Sequence, residues 1–165
     1  MSKISQMHPE SKVWIFSFVE SLSLDQEQAL LERVDSFLES WKAHGAPLSA
    51  ASEIIHHQFL VVAADEQQTS ASGCSIDSLV RAMNVLTAEM LIDLAPIGTI
   101  FYLNGDNKII SSSRKDFARL VLSGDIRAET TVIDTAISKV SELTSFEKIF
   151  INSWHAKAFP IKQEM

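Results

Sequence analysis

Cys74 is the only cysteine in the chain, and it stands in Ala71-Ser72-Gly73-Cys74-Ser75-Ile76-Asp77. With Ser72 or Ser75 as the N-cap, its thiol would lie in the first turn of a helix. Free backbone N–H groups and the positive end of the helix dipole favour thiolate there. A nucleophilic cysteine also needs a base. His44, in Trp41-Lys42-Ala43-His44-Gly45, and His155, in Ser153-Trp154-His155-Ala156, each stand beside an aromatic at the end of an element, and His56 and His57 are also available. A plainer reading uses the same residues. Free cysteine is among the most buried residue types, so Cys74 would pack where a loop meets a sheet. Trp41 and Trp154 would then be core, with each histidine capping carbonyls at a helix C-terminus.

Asp65 and Glu66 close the apolar run Phe59 to Ala64. Adjacent strand residues point to opposite faces, so at most one of the two carboxylates looks into a shared pocket. Such a group would bind a cation, act as a base or orient a histidine; otherwise it caps the loop or faces solvent. Asp77 reads as a dipole and capping residue in the first turn of the next helix. His56 and His57 fall on an expected strand and diverge, and no HxxxH or CxxC spacing exists, so no metal site is expected. None of the five glycines is followed by lysine, and neither GxxxxGK[ST], GxGxxG nor GxSxG occurs. That argues against a P-loop ATPase, a dinucleotide fold and a nucleophile elbow, and no cofactor is implied.

These residues need elements to position them. Val13 to Val19 is short, aromatic and β-branched, as a buried strand is. Ser23 and Gln26 have capping-box spacing, and Leu30, Val34, Phe37, Leu38 and Trp41 follow as the apolar stripe of a helix stopped by Gly45 and Pro47. Glu53 to Ala64 reads as one long strand. The helix after Cys74 turns Ile76, Val80, Met83, Leu86 or Thr87, and Met90 inward. Asn104-Gly105-Asp106-Asn107 joins strands 99–103 and 108–111 in a hairpin, because Asn-Gly tolerates positive φ. Ser113 to Asp116 open a short helix carrying Phe117, Leu120 and Val121, which Gly124 closes. Thr130 to Asp134 is a strand, and Thr144 and Glu147 cap a last helix holding Phe146, Ile149 and Phe150. The expectation is an α/β (α+β-like) chain of order β-α-β-α-β-β-α-β-α, its helices packed on a mixed sheet.

At 165 residues and 46% hydrophobic, the chain suits one domain with an ample core, expected over residues 13–160 after a flexible stretch at 1–12. A net charge of −7 without any basic stripe argues against nucleic acid. A lone cysteine suits a reducing compartment, and residues 1–12 lack an apolar signal core. Apolar runs fall short of the roughly 18–20 residues that cross a membrane. A cytoplasmic protein with no membrane association is expected.

The segments WKAHG, FLVVAADE, ASGCSID and SWHA together resemble a family of small, uncharacterised Bacteroidetes proteins commonly labelled "ABC transporter ATPase". The likeness runs from about Lys12 to Phe159 and marks Met1 to Glu10 as an extension. It implies a bacterial, cytosolic protein and singles out Trp41, His44, Gly45, Asp65, Glu66, Ser72, Gly73, Cys74, Ser75, Asp77, Trp154 and His155. The label conflicts with a chain that has no P-loop. Two functions are therefore expected of the stretch 65–77. One is a binding module that recognises a small anionic ligand or a protein partner through Glu66, Ser72, Gly73, Ser75, Asp77, Trp41 and Trp154. The other is a thiol enzyme with Cys74 as nucleophile or redox thiol, His155 or His44 as base and Asp65 or Glu66 as orienter.

Overall fold

The computed structural model describes residues 3–67 and 69–161. Met1, Ser2 and Gln68 lie outside it, as do residues 162–165, and with them part of the expected extension and one position of the 65–77 loop. The chain divides into two compact units, Met1–Ala95 with Ala136–Leu143, and Pro96–Thr135 with Thr144–Met165.

The first unit is built on β1 (Lys12–Ser17), α1 (Leu24–Glu39), β2 (Lys42–Ala43), β3 (Ala46–Pro47), β4 (Ser49–Ile55), β5 (Phe59–Asp65) and α2 (Gly73–Glu89). Strand β5 is central in the order β1-β5-β4, antiparallel to both neighbours. Its unbroken apolar run follows from that place, since both of its faces are covered. Leu60, Val62 and Ala64 join the core under α1 and α2, and the alternate Phe59, Val61 and Ala63 are equally buried on the other face. Ser23 caps α1 as expected, its Oγ accepting from Gln26 N at 3.1 Å while Gln26 Oε1 accepts from Ser23 N at 2.9 Å. The stretch before β1, expected to be loose, places Ile4 and Ser11 in the interior.

Two corrections concern turns. Glu53 to Ala64 is not one strand: Ile55 pairs with Phe59 across a reversal in which His56 and His57 adopt φ of 53° and 58°. Neither residue type announces such a turn, and long-range bonds hold it. Leu22 N donates to the His57 carbonyl at 2.7 Å, Glu27 Oε1 lies 2.5 Å from His57 Nδ1, and the Gln58 amide donates to the Phe18 carbonyl at 3.0 Å. The residues read as a helix stop form a second hairpin. Helix α1 ends at Glu39, and Ala43 pairs with Ala46 across His44 and Gly45, at φ 52° and 76°. Positive φ at both central positions is the type I′ turn that suits two-residue hairpins.

The second unit holds β6 (Ile100–Leu103), β7 (Ile109–Ser112), α3 (Arg114–Ser123), β8 (Thr131–Ile133), β9 (Glu147–Ile149) and α4 (Trp154–Ala158). Its sheet has the order β7-β6-β8-β9. Phe117 and Val121 of α3 pack with Ile100, Val132 and Phe150, and Gly124 closes the helix at φ 83°. The expected 104–107 hairpin is present, with the positive φ at Asn107. The last helix does not form as expected: Glu147–Ile149 pairs along β8, with Phe150–Asn152 a 3₁₀ turn before the short α4. Sheet pairing overrides a capping pattern that had no long amphipathic run behind it.

The α+β class thus holds. Instead of one mixed sheet, the described strands form separate antiparallel sheets of three, two and four strands. Among the described residues no helix is long and apolar enough to cross a membrane.

Candidate functional site

Ser72 is the N-cap of α2, and Ser75 completes the box: Ser72 Oγ accepts from Ser75 N at 3.1 Å, and Ser75 Oγ accepts from Ser72 N at 2.7 Å. Gly73 and Cys74 are therefore the first two helical residues. Cys74 is exposed rather than packed under the loop. Ser75 points the other way and is buried, and this sets the helix phase. Leu79, Met83 and Thr87 follow it inward, while Val80, expected in the core, is 43% exposed. Asp77 lies beyond the first turn, which contains no acidic residue, so it does not serve there as a cap.

No histidine of the first unit hydrogen-bonds the Cys74 sulfur among the described residues. His44 is exposed at the tip of the β2–β3 hairpin, and His57 is engaged with Glu27. Asp65 Oδ1 accepts from Gln67 N at 2.9 Å, which caps the chain as it leaves β5, and among the described residues no histidine hydrogen-bonds it. Trp41 is core. It is 2% exposed, its indole nitrogen donates to the Ser75 carbonyl at 2.8 Å, and its ring meets Trp14 edge-on at 5.5 Å.

A cavity of about 200 Å³ does open at the end of β5, where His8, Glu10, Ser11, Asp65, Glu66 and Gln67 line it. Two atoms of its lining residues are unusual. Ser11 Oγ and Glu66 Oε1 are buried and have no hydrogen-bond partner. The Lys12 ammonium lies 3.3 Å from Glu66 Oε1, near enough for Coulomb attraction but not aligned as a donor. Glu10 is held by Lys139 at 2.7 Å, and that hydrogen bond lowers its carboxyl below the ordinary value. Three carboxylates against Lys12 and Lys139 leave the surroundings acidic. No group of three or more metal-binding side chains forms among the described residues.

His155 belongs to the second unit and is buried. Ser153 Oγ donates its proton to the Phe150 carbonyl at 2.7 Å, so at the 3.1 Å contact His155 Nδ1 must be the donor. The proton then sits on Nδ1, and Nε2 carries the lone pair. Burial, only partly opposed by the Asp134 carboxylate, lowers its pKa to about 4. The Trp154 ring stacks on His155 at 3.9 Å, and Trp154 Nε1 donates to Asp134 Oδ1 at 3.2 Å. Lys148 Nζ holds the other oxygen of Asp134 at 2.5 Å. Trp154 and His155 thus frame an internal ion pair.

The sequence reading missed Asp134 and Lys148, which come together only through the β8–β9 pairing. It also missed His8, Glu10 and Ser11, set aside as a loose stretch. Their one local signal was three polar residues of chemical interest immediately before a strand. Comparison with family models, with curated proteins and with solved structures finds no match to this chain.

Proposed function

We propose that the protein is a binding module whose first unit accepts a small cationic group, an ammonium or a guanidinium, at the end of β5. One observation carries this reading: Ser11 Oγ and Glu66 Oε1 are buried without hydrogen-bond partners, and both residues line one acidic cavity. Leaving a buried polar atom without a hydrogen bond costs about 1–3 kcal/mol; the Lys12 ammonium 3.3 Å from Glu66 Oε1 offsets part of that there, and a ligand bearing N–H groups would recover the rest. A volume of about 200 Å³ suits a side-chain-sized group rather than a nucleotide. The anion expected at this stretch is disfavoured by Glu10, Asp65 and Glu66.

The test is an amide chemical-shift titration of the full chain at pH 7 with ethylguanidinium, ethylurea and inorganic phosphate. Ethylguanidinium is expected to shift Ser11 and Asp65 to Gln67 with mM affinity, and Glu66→Gln is expected to abolish the shifts. Ethylurea, its neutral near-isostere, leaves them in place. A peptide ending in arginine, titrated alongside, separates a partner's side chain from a free small molecule. No response to ethylguanidinium, or a phosphate response centred on Gly73 to Ser75, would sink the reading.

The thiol alternative keeps one observation in its favour, the exposure of Cys74 at the start of α2. Among the described residues no histidine of the first unit hydrogen-bonds the Cys74 sulfur, so this reading lacks a base in place.

A further inference from the structure

A second cavity lies elsewhere, in the second unit, beside an interruption of the sheet. β6 pairs with β8 only at Phe101↔Ile133 and Tyr102↔Val132. The next step of the register would pair Leu103 with Thr131, yet β6 continues along β7 and β8 continues along β9 without that pair. Leu103 and Thr131 instead line opposite sides of a cleft of about 570 Å³, completed by Tyr102, Asn104, Asp125 and Glu129. That volume is in the range of small-molecule sites.

The lining has a definite chemistry. It includes two carboxylates and no lysine or arginine. Asp125 spends one oxygen, Oδ2, on the Ser123 hydroxyl at 2.6 Å. Glu129 is exposed and takes part in no hydrogen bond or ion pair among the described residues. Asn104 Oδ1 is already occupied by Asp106 N and Lys108 N, at 2.9 and 3.0 Å, which fixes its amide as part of the wall. Tyr102, whose ring packs against Phe117 with centroids 5.9 Å apart, also lines the cleft and brings an aromatic side chain to it. Burial, and secondarily the Asp125 carboxylate, raise its hydroxyl above the ordinary value, so it stays protonated at neutral pH.

We infer that this split between β6 and β8 is a binding site for a small organic ammonium ion, held between the Asp125 and Glu129 carboxylates against the Tyr102 ring. A protonated amine satisfies each feature. Its charge answers two carboxylates that no basic side chain in the wall neutralises, its N–H groups reach their free oxygens, and its alkyl part lies on the ring, where cations are attracted to the π face. An anion would meet two like charges. A metal ion would need more ligands than two carboxylates supply, and none of the described residues form such a group. This site is independent of the one at the end of β5, being built wholly from residues of the other unit.

The experiment titrates the full chain with 1,4-diaminobutane and, separately, 1,4-butanediol at pH 7 and low salt, following backbone amides. The diamine is expected to shift Tyr102 to Asn104, Thr130 and Thr131, and 0.15 M salt should weaken it, because the carboxylates are exposed. Glu129→Gln is expected to weaken binding about threefold, and the Asp125→Asn, Glu129→Gln double variant more. Both positions are exposed, so the variants should keep the fold, which their unshifted amide spectra would verify. An equal response to the diol, shifts confined to Asp65 to Gln67, or unchanged affinity in the double variant would overturn the inference.

Discussion

The indole nitrogen of Trp41 donates to the carbonyl of Ser75 at 2.8 Å, inside the core of the first unit. This bond ties the chain just after α1 to the first turn of α2, and so fixes the rotation that turns Ser75 inward and Cys74 outward. Trp41→Phe keeps a ring but removes the donor and should cost about 1–2 kcal/mol. Trp41→Ala also opens a large cavity and should cost about 3–5 kcal/mol. Urea unfolding of the two variants checks both, and a phenylalanine variant as stable as the parent would mean the bond contributes nothing.

The ion pair framed by Trp154 gives a second prediction. Asp134 is 5% exposed, and the Lys148 side chain is 26% exposed. Lys148→Met removes the ammonium and leaves a buried carboxylate. Partial exposure of the lysine discounts the usual penalty for breaking a buried pair, so a loss of roughly 2–3 kcal/mol is expected. Asp134→Asn with Lys148→Met should cost less than the two single losses added together, because the partners share one interaction. Strict additivity in that double-mutant cycle would contradict the pairing.

Local chemistry was legible wherever a short segment decides its own structure. The Ser23–Gln26 box, Ser72 as one of the two caps considered, the hairpin at Asn104 to Asn107 and the Gly124 stop are all governed by residues within a few positions of one another. The reversal at His56 and His57 was not legible, because bonds from Leu22, Glu27 and Phe18 hold it and neither residue signals a turn. The same holds for β9, whose strand conformation comes from its partner rather than from Glu147 to Ile149. At the candidate site, Asp65 and Glu66 were readable as the end of an apolar strand. Ser11 was not, since its burial depends on backbone bonds to His8 and Val140.

Cys74 offers a direct test of the α2 start. As an exposed side chain on the first turn, it should alkylate stoichiometrically with iodoacetamide in the native protein. Cys74→Ser should change stability by less than about 0.5 kcal/mol, as surface substitutions do. Labelling that begins only in denaturant would place the sulfur in the interior and contradict the helix phase argued from Trp41 and Ser75. The pH profile of the native reaction then bears on the thiol alternative: the binding-module reading expects His44→Ala to leave it unchanged, and a shifted profile would favour an activated thiol.

His155 makes the second unit sensitive to acid, and the sign follows from its lowered pKa. The folded state keeps the imidazole neutral down to about pH 4, whereas the unfolded chain takes up the proton near its ordinary 6.5. Between those values the unfolded state binds more protons, so stability present above pH 6.5 is lost as pH falls toward 4. A difference of that size is worth about 3 kcal/mol by pH 4. His155→Gln removes the titrating group. It should lower stability at pH 7, where the buried stack with Trp154 and the bond to Ser153 are disturbed, yet flatten the decline between pH 7 and pH 4 relative to the parent. Denaturant midpoints of parent and variant across that range make the measurement, and parallel slopes would mean that the acid sensitivity belongs to another group.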